Sequence, residues 1–176
     1  QGVSQPQNAL WLRADEGVTD NNGVTEWADQ SGNGNTATPP FGQPGFLSSF
    51  SGFGGAPAID FVPGNTDLFE VAENSDLDNT DELTIFSVFY PESIDDGNGN
   101  SRGIMGKRFD FGPGSQYAYS QFVWNNDELL LDIPDNGNRI SAGGFSENTA
   151  YNFQGWYDSA SKSRMSVNGN PEDSTG

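Results

Sequence analysis

Apolar residues in this chain fall in short runs separated by Gly, Asn, Asp, Ser and Pro, and nowhere recur with the spacing of a long amphipathic helix. Such punctuation predicts strands and turns. Leu83 to Tyr90 is the strongest strand signal, and because it is apolar on both faces it is expected to be central and covered on each side. Ala9 to Ala14, Val24 to Ala28, Ile104 to Gly106, Gln116 to Trp124, Glu128 to Ile133, Arg139 to Ala142, Ala150 to Tyr157 and Arg164 to Val167 supply further strands. Ala58 to Val62 and Leu68 to Val71, either side of Pro63-Gly64-Asn65-Thr66, read as a hairpin-like pair. Ser75 to Asp78 reads as one helical turn capped by Ser75, whereas Asp15 to Gly23 reads as turns and Pro39 to Gly55 as irregular wrapping anchored by phenylalanines. The interval between strands is that of a β-sandwich. Trp11, Phe86, Phe89 and Trp156 are assigned to its core.

Composition narrows the chemistry. Seven Lys and Arg against twenty-five Asp and Glu give a net charge of −18, which repels phosphates and anionic lipid heads and disfavours nucleic acid and bare membranes as partners. Bound divalent cations or salt relieve such repulsion, so a calcium-rich extracellular medium fits the chain. Cysteine and histidine are both absent, which removes disulfides, thiolate metal sites, the Ser-His-Asp triad and the common zinc centres. No apolar stretch has the length of a membrane-spanning helix.

Two neighbouring stretches carry a resemblance: Leu-Trp-Leu-Arg-Ala-Asp-Glu-Gly-Val at 10–18, and Val-Thr-Glu-Trp-Ala-Asp-Gln-Ser-Gly-Asn-Gly-Asn at 24–35. They resemble the opening of laminin-G-like, concanavalin A-like modules of large bacterial surface proteins. Pro57 to Phe61 before Asn65 to Val71, Leu83 to Phe86, and Tyr157-Asp158 through Arg164 to Gly169 are similar to later strands of that family. The resemblance implies a two-sheet antiparallel jelly-roll sandwich, often calcium-bound, in adhesins and polysaccharide-binding proteins. On this reading residues 1–8 are a lead-in and 9–176 one sandwich. The chain stops just after its late hairpin, so the sandwich is expected to be incomplete or split, with its last strands supplied by a segment outside this sequence.

Three kinds of chemistry were sought on this frame. Catalysis by a glucanase-like carboxylate pair needs acids at alternate strand positions, and only Asp76 and Asp78 stand two apart, in a turn. For calcium, Asp95, Asp96, Asn98 and Asn100 around Gly97 and Gly99 form one oxygen-rich loop, and Asp29 with Asn33 another; Asp20 to Asn22 and Asn125 to Asp127 are lesser clusters. Each is equally the composition of an ordinary hairpin turn. Sugar recognition needs an aromatic face beside amides and carboxylates, which Trp124 with Asn125, Asn126 and Asp127 provides at a strand end, with Tyr119 on the same strand. Those aromatics are equally good core residues. Arg13, Arg102 and Arg108 are expected to pair with nearby carboxylates.

The sequence therefore predicts a non-enzymatic, extracellular carbohydrate-binding or adhesive module of a bacterial surface protein, stabilised by Ca2+. Its expected partners are a polysaccharide or cell-surface glycan and other domains of the same polypeptide. A scaffold that displays a neighbouring ligand-binding domain, or a divergent polysaccharide hydrolase or lyase, are the alternatives.

Overall fold

The computed structural model describes residues 8–78, 82–94, 101–108, 117–124, 128–133, 140–158 and 162–173. It is all-β and antiparallel, with only two 3-10 turns among the described residues, and the chain divides into two compact units, Gln1–Leu77 and Asp78–Gly176.

In the first unit short strands are tied by turns. β1 (Val18–Asp20), β2 (Val24–Trp27), β3 (Ala37–Thr38) and β6 (Glu70–Val71) form one sheet in the order β1-β2-β3-β6. A separate pair joins β4 (Gly45–Leu47) to β5 (Ala58–Asp60). The two segments flanking Pro63 to Thr66 therefore do not pair with each other as expected. β5 takes β4, from the stretch read as irregular, and β6 takes β3. Asp15 to Gly23 likewise contains a strand, since Val18 and Thr19 pair with Trp27 and Glu26. The turn between these strands uses its oxygens internally: Asp20 Oδ1 accepts the Gly23 N–H at 2.9 Å, while Asn22 and Gly23 adopt φ of 60° and 137°. Val24 and Ala37 are almost fully buried, and Trp27 lies 5.7 Å from Phe69, which in turn lies 5.9 Å from Phe61. The expected helical turn is present at Ser75–Leu77, but Asn74 caps it, its Oδ1 accepting the Asp76 N–H at 3.0 Å.

The second unit is a sandwich of two four-stranded sheets. β8 (Arg102–Arg108), β9 (Tyr117–Trp124), β10 (Glu128–Asp132) and β11 (Ile140–Ala142) are ordered β11-β10-β9-β8. Facing them are β7 (Glu82–Phe89), β12 (Tyr151–Asp158), β13 (Lys162–Val167) and β14 (Asn170–Asp173), ordered β14-β13-β12-β7. Period-two alternation sends Tyr119, Val123, Leu129 and Leu131 from one sheet, and Ile85, Phe153, Tyr157, Met165 and Val167 from the other, into a shared core. Fully burying one such large side chain contributes about 1.5–3 kcal/mol. A polar bridge crosses the core between the sheets, in which Gln121 Nε2 and Ser87 Oγ lie 2.8 Å apart. Gly155 is required sterically, because a Cβ there would lie 2.6 Å from the Phe153 ring and 2.9 Å from Leu131.

Two expectations about the second unit are corrected. Leu83 to Tyr90 is not central: β7 ends its sheet, and although Ile85 is buried, Phe86 and Val88 on the opposite face are 67% and 64% exposed. Apolar residues on both faces of this strand thus accompany burial on one face only, and Phe86 is not a core residue. Trp11, Phe89 and Trp156 are half-buried rather than deeply enclosed. The late hairpin also continues beyond its turn, since β14 pairs with β13 from Asn170 to Asp173.

Candidate functional site

The oxygen-rich loop at Asp29 is folded around its own carboxylate. Oδ1 accepts the N–H groups of Trp11 and Ser31, each at 2.9 Å, and Oδ2 accepts the Ser31 hydroxyl at 2.6 Å and the Asn35 N–H at 3.0 Å. Partial burial works against the charged form, but these bonds outweigh it and hold the Asp29 carboxyl below the usual range. Asn33 and Asn35 turn their NH2 groups onto the carbonyls of Asn8 and Ala9, and Asn74 donates to Asn35 Oδ1. Four donors saturate a carboxylate that offers about four lone-pair sites. A calcium ion would have to displace them, so the Asp29 and Asn33 pair does not fit the metal and works as a clamp on 8–11. Asp95, Asp96, Asn98 and Asn100 lie outside the described residues. Among the described residues no three of His, Cys, Asp or Glu are grouped to hold an ion.

Arg13 pairs as expected, with Asp15 at 2.6 Å and Glu16 at 3.1 Å, while its guanidinium lies 5.2 Å from the Trp11 ring centre. The bond to Asp15 raises the arginine's pKa and depresses that of the carboxyl. The Arg102 Nε, by contrast, is buried without an acceptor among the described residues. Asp78, half of the only acid pair that stands two residues apart, forms an ion pair with Lys107.

At one end of the sandwich an open groove joins the two sheets. Ala142, Gly143, Gly144 and Phe145 line it from the close of β11 onward, Tyr151 from the start of β12, and Val167, Asn168 and Asn170 from the β13–β14 turn. A cluster of rings supports it, with buried Tyr151 centred 4.4 Å from buried Phe145 and 5.6 Å from half-buried Phe89. The turn is held in place by Asn168, whose N–H donates to the Asn152 carbonyl and whose Oδ1 accepts the Asn152 N–H, both at 2.9 Å. That leaves its NH2 group, the Asn170 amide and the Tyr151 hydroxyl proton without a described acceptor, the Tyr151 oxygen itself accepting the Ser146 N–H at 2.8 Å. Gly144 needs its φ of 84° for the bend, and at neither Gly143 nor Gly144 would a Cβ meet an atom within 4 Å. Glycine at 143 therefore answers no backbone or packing demand and keeps the groove wide. Among the described residues the lining contains no carboxylate and no cation.

Trp124 lies toward the same end of its sheet, but strand alternation turns its side chain to the outer face, beside Phe122 and away from Val123. Leu129 is opposite both Val123 and Ala142, so Trp124, Glu128 and Gly143 occupy the next position along three adjacent strands. With strands about 4.8 Å apart, Trp124 is about 10 Å from Gly143. Its indole is 41% exposed and centred 5.9 Å from Phe122, which makes it an accessible stacking face. Asn125, Asn126 and Asp127 lie outside the described residues. Tyr119 is corrected as a surface residue, since strand alternation points it into the core beside Val123, where burial pushes its phenol pKa up. The sequence singled out Trp124 but gave no signal for Gly143, Tyr151, Asn168 or Asn170, which line the groove. The nearness of Asn168 and Asn170 to Gly143 follows from sheet packing that no local pattern encodes.

No family model matches the chain, and no curated protein or solved structure is significantly similar to it.

Proposed function

We propose that the protein is an extracellular carbohydrate-binding or adhesive module of a bacterial surface protein, with a concanavalin A-like jelly-roll sandwich, and that it binds a neutral glycan without breaking a bond. One observation supports the reading: among the described residues the groove at the sandwich end is lined by two aromatic rings, two amides and small or aliphatic residues, with no ionised side chain, and the exposed Trp124 indole lies toward the same end of its sheet. A glycan presents apolar C–H faces for the ring and hydroxyls for the amides. A net charge of −18 favours a neutral ligand over an anionic one. Calcium belongs to the proposal through that acidic excess and the Asp95 to Asn100 loop, not through Asp29.

The test is a glycan array with the intact chain, followed by calorimetry on the hits. Binding is expected to fall about tenfold or more in Trp124→Ala and Asn170→Ala, and to be blocked by Gly143→Leu, whose side chain enters open space. Retention of full affinity in all three variants would refute this site. Release of shorter saccharides would refute binding without cleavage.

A further inference from the structure

The four outer strands of the second unit are unequally protected against further pairing. β14 carries Pro171, which has no N–H to offer, β11 spans only Ile140–Ala142, and β8 is interrupted by register shifts at Gly103/Met105 and Lys107/Arg108. β7 has none of these defences. It pairs with β12 through eight successive residues without a shift, contains no Pro, Lys or Arg, and has no partner on its other edge among the described residues. Its exposed face presents Phe86 and Val88 on either side of Ser87, whose side chain points inward to Gln121.

We propose that β7 is a docking edge that accepts an extended segment of another polypeptide, aligned as an added strand, with alternating apolar residues and Lys or Arg at its ends. The unpaired main-chain groups supply the hydrogen bonds, and the Phe86 and Val88 side chains supply apolar contact to alternate residues of the incoming strand. Charge selects the occupant. Exposed Glu82 opens the strand, exposed Glu92 follows it, and neither β7 nor β12 carries a basic residue. A second copy of this chain would bring the same acidic ends and another −18 of net charge, whereas a segment with basic ends is attracted.

The probe is a fluorescent peptide, Lys-Lys-Val-Thr-Val-Thr-Val-Lys-Lys, titrated with the intact chain at low and moderate salt, beside a version whose central Val is Pro. The intact peptide is expected to bind and to weaken as salt rises, and the Pro version at least about tenfold less tightly. Val88→Lys and Phe86→Lys, both at exposed positions, are each expected to weaken binding about tenfold with an unchanged melting temperature. Failure of the intact peptide to bind would overturn the proposal. So would equal binding of the Pro peptide, which would show attraction by charge alone. Sedimentation of the free chain as a dimer that Val88→Lys dissociates would assign the edge to a second copy instead.

Discussion

Two turns of almost the same composition are used in opposite ways. Asp29 to Asn35 ends on the same Asn-Gly-Asn run that forms Asn168 to Asn170, but the first spends its polar groups on its own chain, with Asp29 accepting four hydrogen bonds and Asn33 and Asn35 donating to the carbonyls of Asn8 and Ala9. The second uses one backbone N–H and one side-chain oxygen to fix itself to Asn152 and leaves amides facing a groove. What separates a structural clamp from a recognition surface is therefore where the donors and acceptors end, not which residues supply them.

The sharpest way to break this contrast is to remove what each turn rests on. Phe153→Ala strips a fully buried ring from the sandwich that positions the groove and is expected to cost about 3–5 kcal/mol in urea denaturation. Asp29→Ala orphans the N–H groups of Trp11, Ser31 and Asn35, and is expected to cost about 2 kcal/mol because the site is only partly buried. Amide exchange at those three N–H groups should accelerate, while exchange in β12 and β13 stays as it was. A mutation of comparable chemistry in the groove, Asn170→Ala, removes an exposed amide with no described partner, so its effect on stability should stay within about 0.5 kcal/mol.

Acid should sharpen the same comparison. Asp29 is held below its ordinary value of 3.8, so the folded state binds its proton less readily than the unfolded chain does. Its contribution is present above the unfolded value and is lost as pH falls through the lowered folded one. Below about pH 4 the clamp's exchange protection should fall in the wild type and change less in Asp29→Asn, and pH-dependent exchange spectra check this. The smallest expected effect is that of calcium on the Asp29 clamp. Any rise in melting temperature with calcium should survive Asp29→Asn, because that carboxylate is already saturated.

Strand content was legible wherever a short apolar run was bounded by turn residues, as in β9, β10, β12 and β13. Pairing was less so. The short segments around Pro63 to Thr66 looked like a hairpin because they were adjacent, yet each finds its partner earlier in the chain, and two-residue strands such as β3 carry too little pattern to announce themselves. β7 misled for a different reason, because hydrophobicity on both faces of a strand records an apolar surface without saying whether anything covers it. Of the candidate site, Trp124 was readable as an aromatic at a strand end. The groove was not, because it forms where the ends of two sheets meet, and Gly143 matters through space that it leaves open.

The most direct test of the account is an amide-resolved NMR titration of the intact chain with a neutral oligosaccharide taken from the glycan array. The account predicts shifts concentrated at the Trp124 indole, Gly143, Gly144 and the Asn168 and Asn170 side-chain amides, with the Asn33 and Asn35 amides unmoved. Shifts centred on the Asp29 loop, with the groove silent, would contradict it.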